Sequence, residues 1–400
     1  MKDTFRLLKD KKLRHKERYT SLGYQYVIAD NINFLKKDDW NEITKNKSVF
    51  MSIDYLRVLD AYSPENTEQR YALAYQEGKP IAAFVFQIAV IGGEQLVLPD
   101  KKLKEQVIKR YQERVLVCGN LVSNGLHGLA FSDELSIEQG WRIAAELMYR
   151  IRRGEKINGS VNFAIVKDFN ENELEASMVM ERYSYRKIQT DPDMVLQLSQ
   201  NCDSFDEYLQ LLTSKYRNRI KKVIKTLQQA NITDLRIVDL APYEAIIHRL
   251  YLQVEERAEV RPATLPKGYF SALADALDEG FCCSIIKLNN EVVGFVTTIK
   301  DGDIAKGYYV GFDAQINQTF PIYFRLLQLV VEHGISMGCQ VISFGRTASE
   351  PKTGLGAKPS STFVWARHRL PSVNFIVRKL FRVIPYEEAP DRNAFKKLEG

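Results

Sequence analysis

One order of elements occurs twice along this chain. Tyr71–Tyr75 and Ile81–Val90 are β-rich runs joined by Gln76-Glu77-Gly78-Lys79-Pro80, a pattern that predicts a hairpin. Cys282–Leu288 and Val292–Ile299 repeat it around Asn289-Asn290. After the first hairpin come a strand at Val115–Cys118, a helix at Trp141–Arg152 and a strand at Val161–Val166. After the second come Ile304–Val310, Pro321–Met337 and Gln340–Phe344 in the same roles. The recurrence, about 200 residues apart, predicts a duplicated α/β (α+β) unit. Residue identity between the halves is weak, so the order of elements carries the argument.

The stretch between the halves reads as helical. Ser204 and Glu207 form a capping box. Phe205, Tyr208, Leu209, Leu212, Tyr216, Ile220, Val223, Ile224 and Leu227 then recur at helical spacing, predicting a helix over 204–230. A helical pair follows at Tyr243–Arg257 and Tyr269–Glu279. Asp191-Pro192-Asp193 predicts a turn leading into a strand at Met194–Leu198. The boundary therefore falls near residue 200. This gives a basic N-terminal tail over 1–25, one domain over 26–200, a second over 201–370 and a C-terminal helix and tail over 371–400.

Composition narrows the function. Hydrophobic residues make up 45% of the 400 and charged residues 26%, enough for two ordinary cores and unlike a disordered chain. The net charge of +6 suits an anionic ligand or a membrane surface but is too small to imply nucleic acid by itself. Five scattered cysteines without a CxxC spacing predict reduced thiols in a cytosolic compartment, with no structural zinc or other metal. The basic start lacks the apolar core of a signal peptide. The longest apolar run, Pro80–Ile91, is interrupted by Gln87 and too short to span a bilayer. A soluble cytoplasmic protein is expected, with a peripheral position at the inner membrane if the basic, alternating stretch Val373–Ile384 forms an amphipathic helix on an anionic surface. A terminal helix docked on the core would read the same.

The most informative segment runs from Tyr308 to Gly356. A strand ends at Phe312-Asp313, a polar loop including Asn317 follows, and a helix opens at Phe320-Pro321 with Thr319 as its N-cap. A strand–loop–helix junction exposes backbone N–H groups that can hold a pyrophosphate, although an ordinary capped helix gives the same pattern. In the first half, Cys118–Gly128 is a Gly/Asn-rich loop with His127 between Leu126 and Gly128. A solvated loop histidine is the plain reading, and a neutral-pH proton acceptor the functional one. His15, His248 and His333 read as surface or structural, and His368 is undecided. Lys215, Arg217, Arg219, Lys221, Lys222 and Lys225 form a cationic run without an acid, either a solvated helix face or a phosphate-attracting one.

Phe344-Gly345-Arg346, then Lys352 and Gly356, resemble the "FGR … K … G" succession of Fem-like tandem GNAT proteins. The helix around Arg217 and the helix-then-hairpin opening from Ser48 are similar to parts of the same family. The resemblance runs from about Ser48 to His368, and its specificity lies in the order of the motifs. It implies two tandem GNAT-like domains with mixed central sheets. It also implies an N-acyltransferase that moves an acyl group from acyl-CoA, as co-substrate, to a small or lipid-like amine by direct attack in an inter-domain cleft.

Two departures leave the donor open. The [RQ]-x-x-G-x-[GA] loop of single-domain GNAT enzymes is missing, and no coiled-coil arm is inserted. The alternatives are an aminoacyl-tRNA donor, with tRNA the sole nucleic-acid partner, or a non-catalytic pair that only binds a ligand or partner. No Ser-His-Asp arrangement is present, so direct attack is expected over a covalent acyl-enzyme. On this reading His127 accepts the amine proton and Tyr308 or Tyr309 protonates the leaving thiolate. Arg346 and Lys352 hold a phosphate or the oxyanion, while Asn317, Thr319, Arg217 and Gly356 contact the donor.

Overall fold

The computed structural model describes residues 16, 18, 20–92, 112–199, 202–258, 261–346, 348–375 and 392–396. Most of the basic N-terminal stretch, and the amphipathic stretch beyond Phe375, lie outside them.

The chain divides into two compact units. The first comprises Met1–Lys47, Asn66–Thr190 and Thr362–Pro385, the second Ser48–Glu65, Asp191–Ser361 and Tyr386–Gly400. These bounds differ from the sequence-based ones by an exchange of two segments, residues 48–65 and the stretch after 361. The reason for the first is local: Asp301 accepts hydrogen bonds from Ser48 Oγ at 3.1 Å and from Val49 N–H at 2.8 Å. Behind it, the helix Ile53–Ala61 lays Tyr55, Leu56 and Leu59 into the interior.

In chain order the strands are β1 (Gln25–Ala29), β2 (Thr67–Gln76), β3 (Lys79–Gly92), β4 (Gln112–Cys118), β5 (Leu129–Phe131), β6 (Val161–Asn170), β7 (Arg186–Gln197), β8 (Ile232–Ile237), β9 (Phe281–Leu288), β10 (Glu291–Asp301), β11 (Ile304–Phe312), β12 (Val341–Ser343) and β13 (Lys358–His368). In the first unit the hydrogen-bonded order is β1-β2-β3-β4-β6-β13-β7, with β5 on β3; in the second it is β7-β12-β11-β10-β9-β8. β7 ends both orders, and β7 and β13 are each divided between the units. Both sheets are mixed, because β4–β6 and β11–β12 are parallel amid antiparallel pairs. Both predicted hairpins form. Each closes on a two-residue turn with left-handed backbone, Glu77-Gly78 (φ 51° and 81°) and Asn289-Asn290 (φ 50° and 67°), which matches strand twist.

The helices are α1 (Lys37–Thr44), α2 (Ile53–Ala61), α3 (Ile137–Gly154), α4 (Glu171–Ser177), α5 (Phe205–Leu211), α6 (Ser214–Gln229), α7 (Glu244–Glu255), α8 (Tyr269–Leu277), α9 (Ala314–Thr319), α10 (Ile322–Ser336) and α11 (Ser349–Thr353). Two sequence expectations are corrected. The helix expected over 204–230 breaks at Leu212-Thr213, because Leu212 pairs with Phe395 and Thr213 N–H bonds the Ala394 carbonyl. The capping box at Ser204 and Glu207 forms as expected. Asp191-Pro192-Asp193 lies inside β7 and makes no turn.

In the second unit the faces of the sheet follow from alternation along β10. A Cβ on Gly311, opposite Phe295, would stand 2.6 Å from the Leu250 carbonyl carbon, so α7 lies on that face. A Cβ on the adjacent-facing Gly294 would meet Ile322 at 2.9 Å, so α10 lies on the other. α10 is buried along most of its length; Arg325 and His333 on it are paired, while Gln328 Nε2 is buried without a hydrogen-bond partner. Arg325 donates to both Asp234 oxygens at 3.0 Å and to Glu332 at 2.7 Å. His333 sits between Ser284 Oγ (2.7 Å) and Thr298 Oγ1 (2.9 Å). Burial, then the charges of Arg236 and Arg325, push its pKa down to about 3.

That histidine gives an acid limb to stability. Its folded-state pKa lies below the unfolded one, so as pH falls below about 6.5 the unfolded chain takes the proton first. Stability is full above that value and is lost as pH falls toward about 3. Between pH 7 and pH 5 the group should cost roughly 2 kcal/mol. In urea melts at those two pH values, His333→Gln should lose about that much less than the parent. Equal losses in both proteins would mean His333 does not titrate this way.

Candidate functional site

Parallel pairing between β11 and β12 covers three residue pairs, ending at Lys306↔Ser343. β11 runs on to Phe312 with β10 on one side, while the chain after β12 follows β7. Phe344 N–H donates to the Met194 carbonyl at 2.9 Å, and Met194 N–H to the Gly345 carbonyl at 3.3 Å. The two strands therefore part, and among the described residues no strand pairs with the flank of β11 from Gly307 onward on that side. Gly345 (φ 71°) and Ala348 (φ 47°) both take left-handed backbone where the chain turns toward α11.

Tyrosines gather along this part of β11. The Tyr308 and Tyr269 hydroxyls lie 2.6 Å apart, and Tyr55 Oη is 3.4 Å from Tyr308 Oη. Tyr309 packs edge-on against Tyr251, Phe270 and Tyr308. Burial and the neighbouring phenols hold the pKa values of Tyr269, Tyr308 and Tyr309 well above the usual 10. Such phenols stay neutral and donate hydrogen bonds. A thiolate, with a reference pKa near 8.5, would take a proton from them only uphill. The sequence singled out Tyr308 and Tyr309. Tyr55 and Tyr269 escaped it, because nothing in their local pattern distinguishes them from core residues.

Arg346 follows directly on the turn. Burial lowers its pKa to about 10. Lys352, on α11, is 2% exposed and its Nζ donates to the carbonyls of Gly345 at 2.9 Å and Arg346 at 2.8 Å. The structure thus brings Arg346 and Lys352 together, with Lys352 fixing the turn that presents Arg346. Gly356 has another job: at φ 88° it lies against Phe395, where a Cβ would come within 2.4 Å of the ring.

The junction before α10 differs from the expected loop. Residues 314–319 form α9, capped by Asp313, and Thr319 is its exposed last residue and caps nothing. Pro321 occupies the N-cap position of α10 without a side-chain bond. Asn317 Oδ1 instead accepts from Tyr323 N–H at 2.8 Å. Arg217 spans the α5–α6 break, donating to the Leu212 carbonyl (3.5 Å) and Ser214 Oγ (3.4 Å). Its neighbour Arg219 stands over the Phe324 ring, 5.0 Å from the centroid, in the first turn of α10.

His127 belongs to the first unit and is described there. It is 5% exposed, and its Nε2 lies 2.7 Å from the Asn124 carbonyl, which can only accept, so Nε2 carries the proton. The same loop meets Lys167, whose Nζ donates to the Asn120 carbonyl at 2.9 Å and to the Ser123 carbonyl, and pairs with Asp168 at 2.8 Å. Lys167 and Asp168 were not marked in the sequence. A register shift between Phe363 and Trp365, with Asp168 at φ 60°, places both there. Among the described residues no group of three His, Cys, Asp or Glu side chains is arranged to hold a metal ion, and no helix is long and apolar enough to cross a membrane.

Residues 214–353 match the model of an acetyltransferase (GNAT) domain. A solved tandem GNAT protein from the clavulanic acid biosynthesis pathway is 10% identical, covers 87% of this chain and 99% of its own, and has a TM-score of 0.50. FemX is 12% identical over 94% of this chain and 98% of its own, with a TM-score of 0.46. L-PGS from Bacillus licheniformis is 10% identical over 81% and 95%, also at 0.46. At such identities the likeness is one of fold. No curated protein matches the sequence.

Lys352 lends itself to a direct check. Lys352→Met would leave the Gly345 and Arg346 carbonyls without their cation in a buried turn, a change that should cost about 2–3 kcal/mol. Thermal denaturation should fall by several degrees, and Lys352→Arg should recover part of it. An unchanged melting temperature in Lys352→Met would show that the turn stands without the lysine.

Proposed function

We propose that this chain, which has the GNAT fold and whose residues 214–353 belong to the acetyltransferase (GNAT) domain family, is an N-acyltransferase using acyl-CoA or a similar activated donor. The observation that carries the reading is the parting of β11 from β12 after Lys306 and Ser343. Main-chain groups along an unpaired strand flank can receive an extended amide-bearing chain as a further strand would be received. The acyl end of such a donor would lie beside Tyr308, with Arg346 across the gap.

In the proposed step a neutral amine attacks the donor carbonyl. The C–N bond forms as the carbonyl electrons move to oxygen, and the tetrahedral oxyanion then collapses with loss of the thiolate. Tyr308, kept neutral by its surroundings, donates to developing negative charge without surrendering its proton. Arg346 supplies fixed positive charge for the oxyanion or a donor phosphate, and Lys352 holds Arg346 in place. Tyr309 serves as a packed wall. The leaving thiolate takes its proton from solvent. His127 is the proposed acceptor of the amine proton; its Nε2 lies against the Asn124 carbonyl.

Incubation with labelled acyl-CoA and a panel of small and lipid-like amines, followed by mass spectrometry, tests the activity. His127→Ala should lower kcat by roughly 100-fold with KM little changed, as expected for a lost general base. An unaltered kcat would leave His127 as a brace of its loop.

A second donor class is favoured by one specific observation. Lys215, Arg219, Lys221, Lys222 and Lys225 are exposed on α6 and form no ion pair among the described residues. That face suits a polyanionic donor such as an aminoacyl-tRNA. Charge reversal at Lys215, Arg219 and Lys222 should weaken tRNA binding steeply at low salt. The difference should shrink as the Debye length falls to about 10 Å at 0.1 M. Equal binding at every salt concentration would leave α6 a solvated face and acyl-CoA the donor to pursue.

A further inference from the structure

Three arginines converge in the first unit, away from the site residues described above. Arg152 lies in the last turn of α3, Arg367 on β13, and Arg369 just beyond that strand. Together with Met148, Tyr149, Ala164 and Tyr185 they line one recess, with about 220 Å³ of atom-free space counting the solvent at its mouth. Arg152 stands over the Tyr149 ring at 5.6 Å and Arg367 over Tyr185 at 5.8 Å. Arg369 is anchored by Ser160 Oγ at 2.9 Å and by its own N–H to the Asn162 carbonyl at 2.7 Å. Among the described residues no carboxylate pairs with any of the three.

The register of the sheet fixes where this recess lies. Arg367 is paired with Ala164, near the start of β6, whereas Lys167 and the loop around His127 stand at the far end of that strand. The dipole of α3 favours a cation at its C-terminus, which accounts for Arg152 alone. It gives no reason for Arg367 and Arg369 to be brought to the same spot. Burial, then the Arg367 charge and, more weakly, that of Arg369, hold the Arg152 pKa below the usual arginine range. Like charges are thus being held together against their repulsion.

We propose that Arg152, Arg367 and Arg369 form a binding site for a phosphate-class oxyanion. Planar guanidinium groups match such oxygens two at a time, and the tyrosine faces hold the side chains in place before the anion arrives. The recess itself is small, so an anion would meet the three guanidinium groups at its mouth. Two sources offer that chemistry: a soluble phosphate ester and the headgroup of an anionic lipid. Leu370, next in the chain, is 46% exposed and Phe375 is 77% exposed, so a bilayer surface is a concrete second source.

The test uses the full chain and inorganic phosphate, with chloride at matched ionic strength as reference. Phosphate should raise the melting temperature of the parent protein and give a saturable calorimetric isotherm. In Arg152→Gln/Arg367→Gln the affinity should fall at least tenfold and the thermal shift should vanish. Arg153→Gln, an exposed neighbour outside the recess, should behave as the parent. Co-sedimentation with phosphatidylglycerol vesicles, against phosphatidylcholine vesicles, separates the sources. Arginine-dependent retention on the anionic vesicles, competed by phosphate, supports the site with a lipid headgroup. Arginine-dependent phosphate binding without retention supports it with a soluble ester. If neither phosphate nor anionic vesicles distinguish the parent from a folded double variant, the proposal is overturned.

Discussion

The second unit is organised by a competition for the chain after β12. Parallel pairing with β11 stops at Lys306 and Ser343 because Phe344 and Gly345 take their main-chain bonds from Met194 on β7 instead. From that choice follow the unpaired flank of β11, the left-handed backbone at Gly345 and Ala348, and the need for a buried cation to collect the carbonyls of the turn. Arg346 is presented by this turn, and Tyr308 by the strand that was left behind. Gly311 lets α7 approach one face of β11, where even a methyl group would meet the Leu250 backbone.

Much of this was legible where the signal was local. Two hairpins, the capping box at Ser204 and the repeated order of elements depend on residues a few positions apart, and all appear in the structure. One misreading comes from a distant partner that overrides a local preference. The apolar stripe over 204–230 is continuous, yet the helix breaks where the strand-like pairing with Phe395 takes Leu212. Asp-Pro-Asp is a turn signal, but Pro192 sits inside β7. Thr319 had the chemistry of an N-cap. The short helix before Pro321 put Asn317 in range of the α10 amides and left Thr319 outside.

The candidate site shows the same division. Arg346 and Lys352 could be marked because they fall in one short stretch, and the structure links them through one hydrogen bond, with a second from Lys352 to the Gly345 carbonyl. What the stretch could not reveal is that Lys352 spends its donors on the turn, so that it positions Arg346 and does not itself face outward. Tyr55 and Tyr269 come from segments more than 200 residues apart and meet at Tyr308. No periodicity in the sequence distinguishes them from the many other buried aromatics.

The first unit supplies its own standard for judging unpaired charge. Where it uses arginine for structure, it pairs it. Arg70 and Arg114 both reach Glu155, at 2.7 and 3.1 Å, and Arg70 also reaches Glu68 at 2.7 Å. Burial alone would raise the Glu155 pKa, and the two arginines more than offset that, holding it below the usual carboxylate value. Removing one partner from such an arrangement is costly, because a buried charge is left uncompensated. Arg152, Arg367 and Arg369 stand in the same unit without a carboxylate, stacked on tyrosines and turned toward one recess. A chain that neutralises its structural arginines with glutamate at one place and leaves three together at another has put the second set where an anion from solution would complete it.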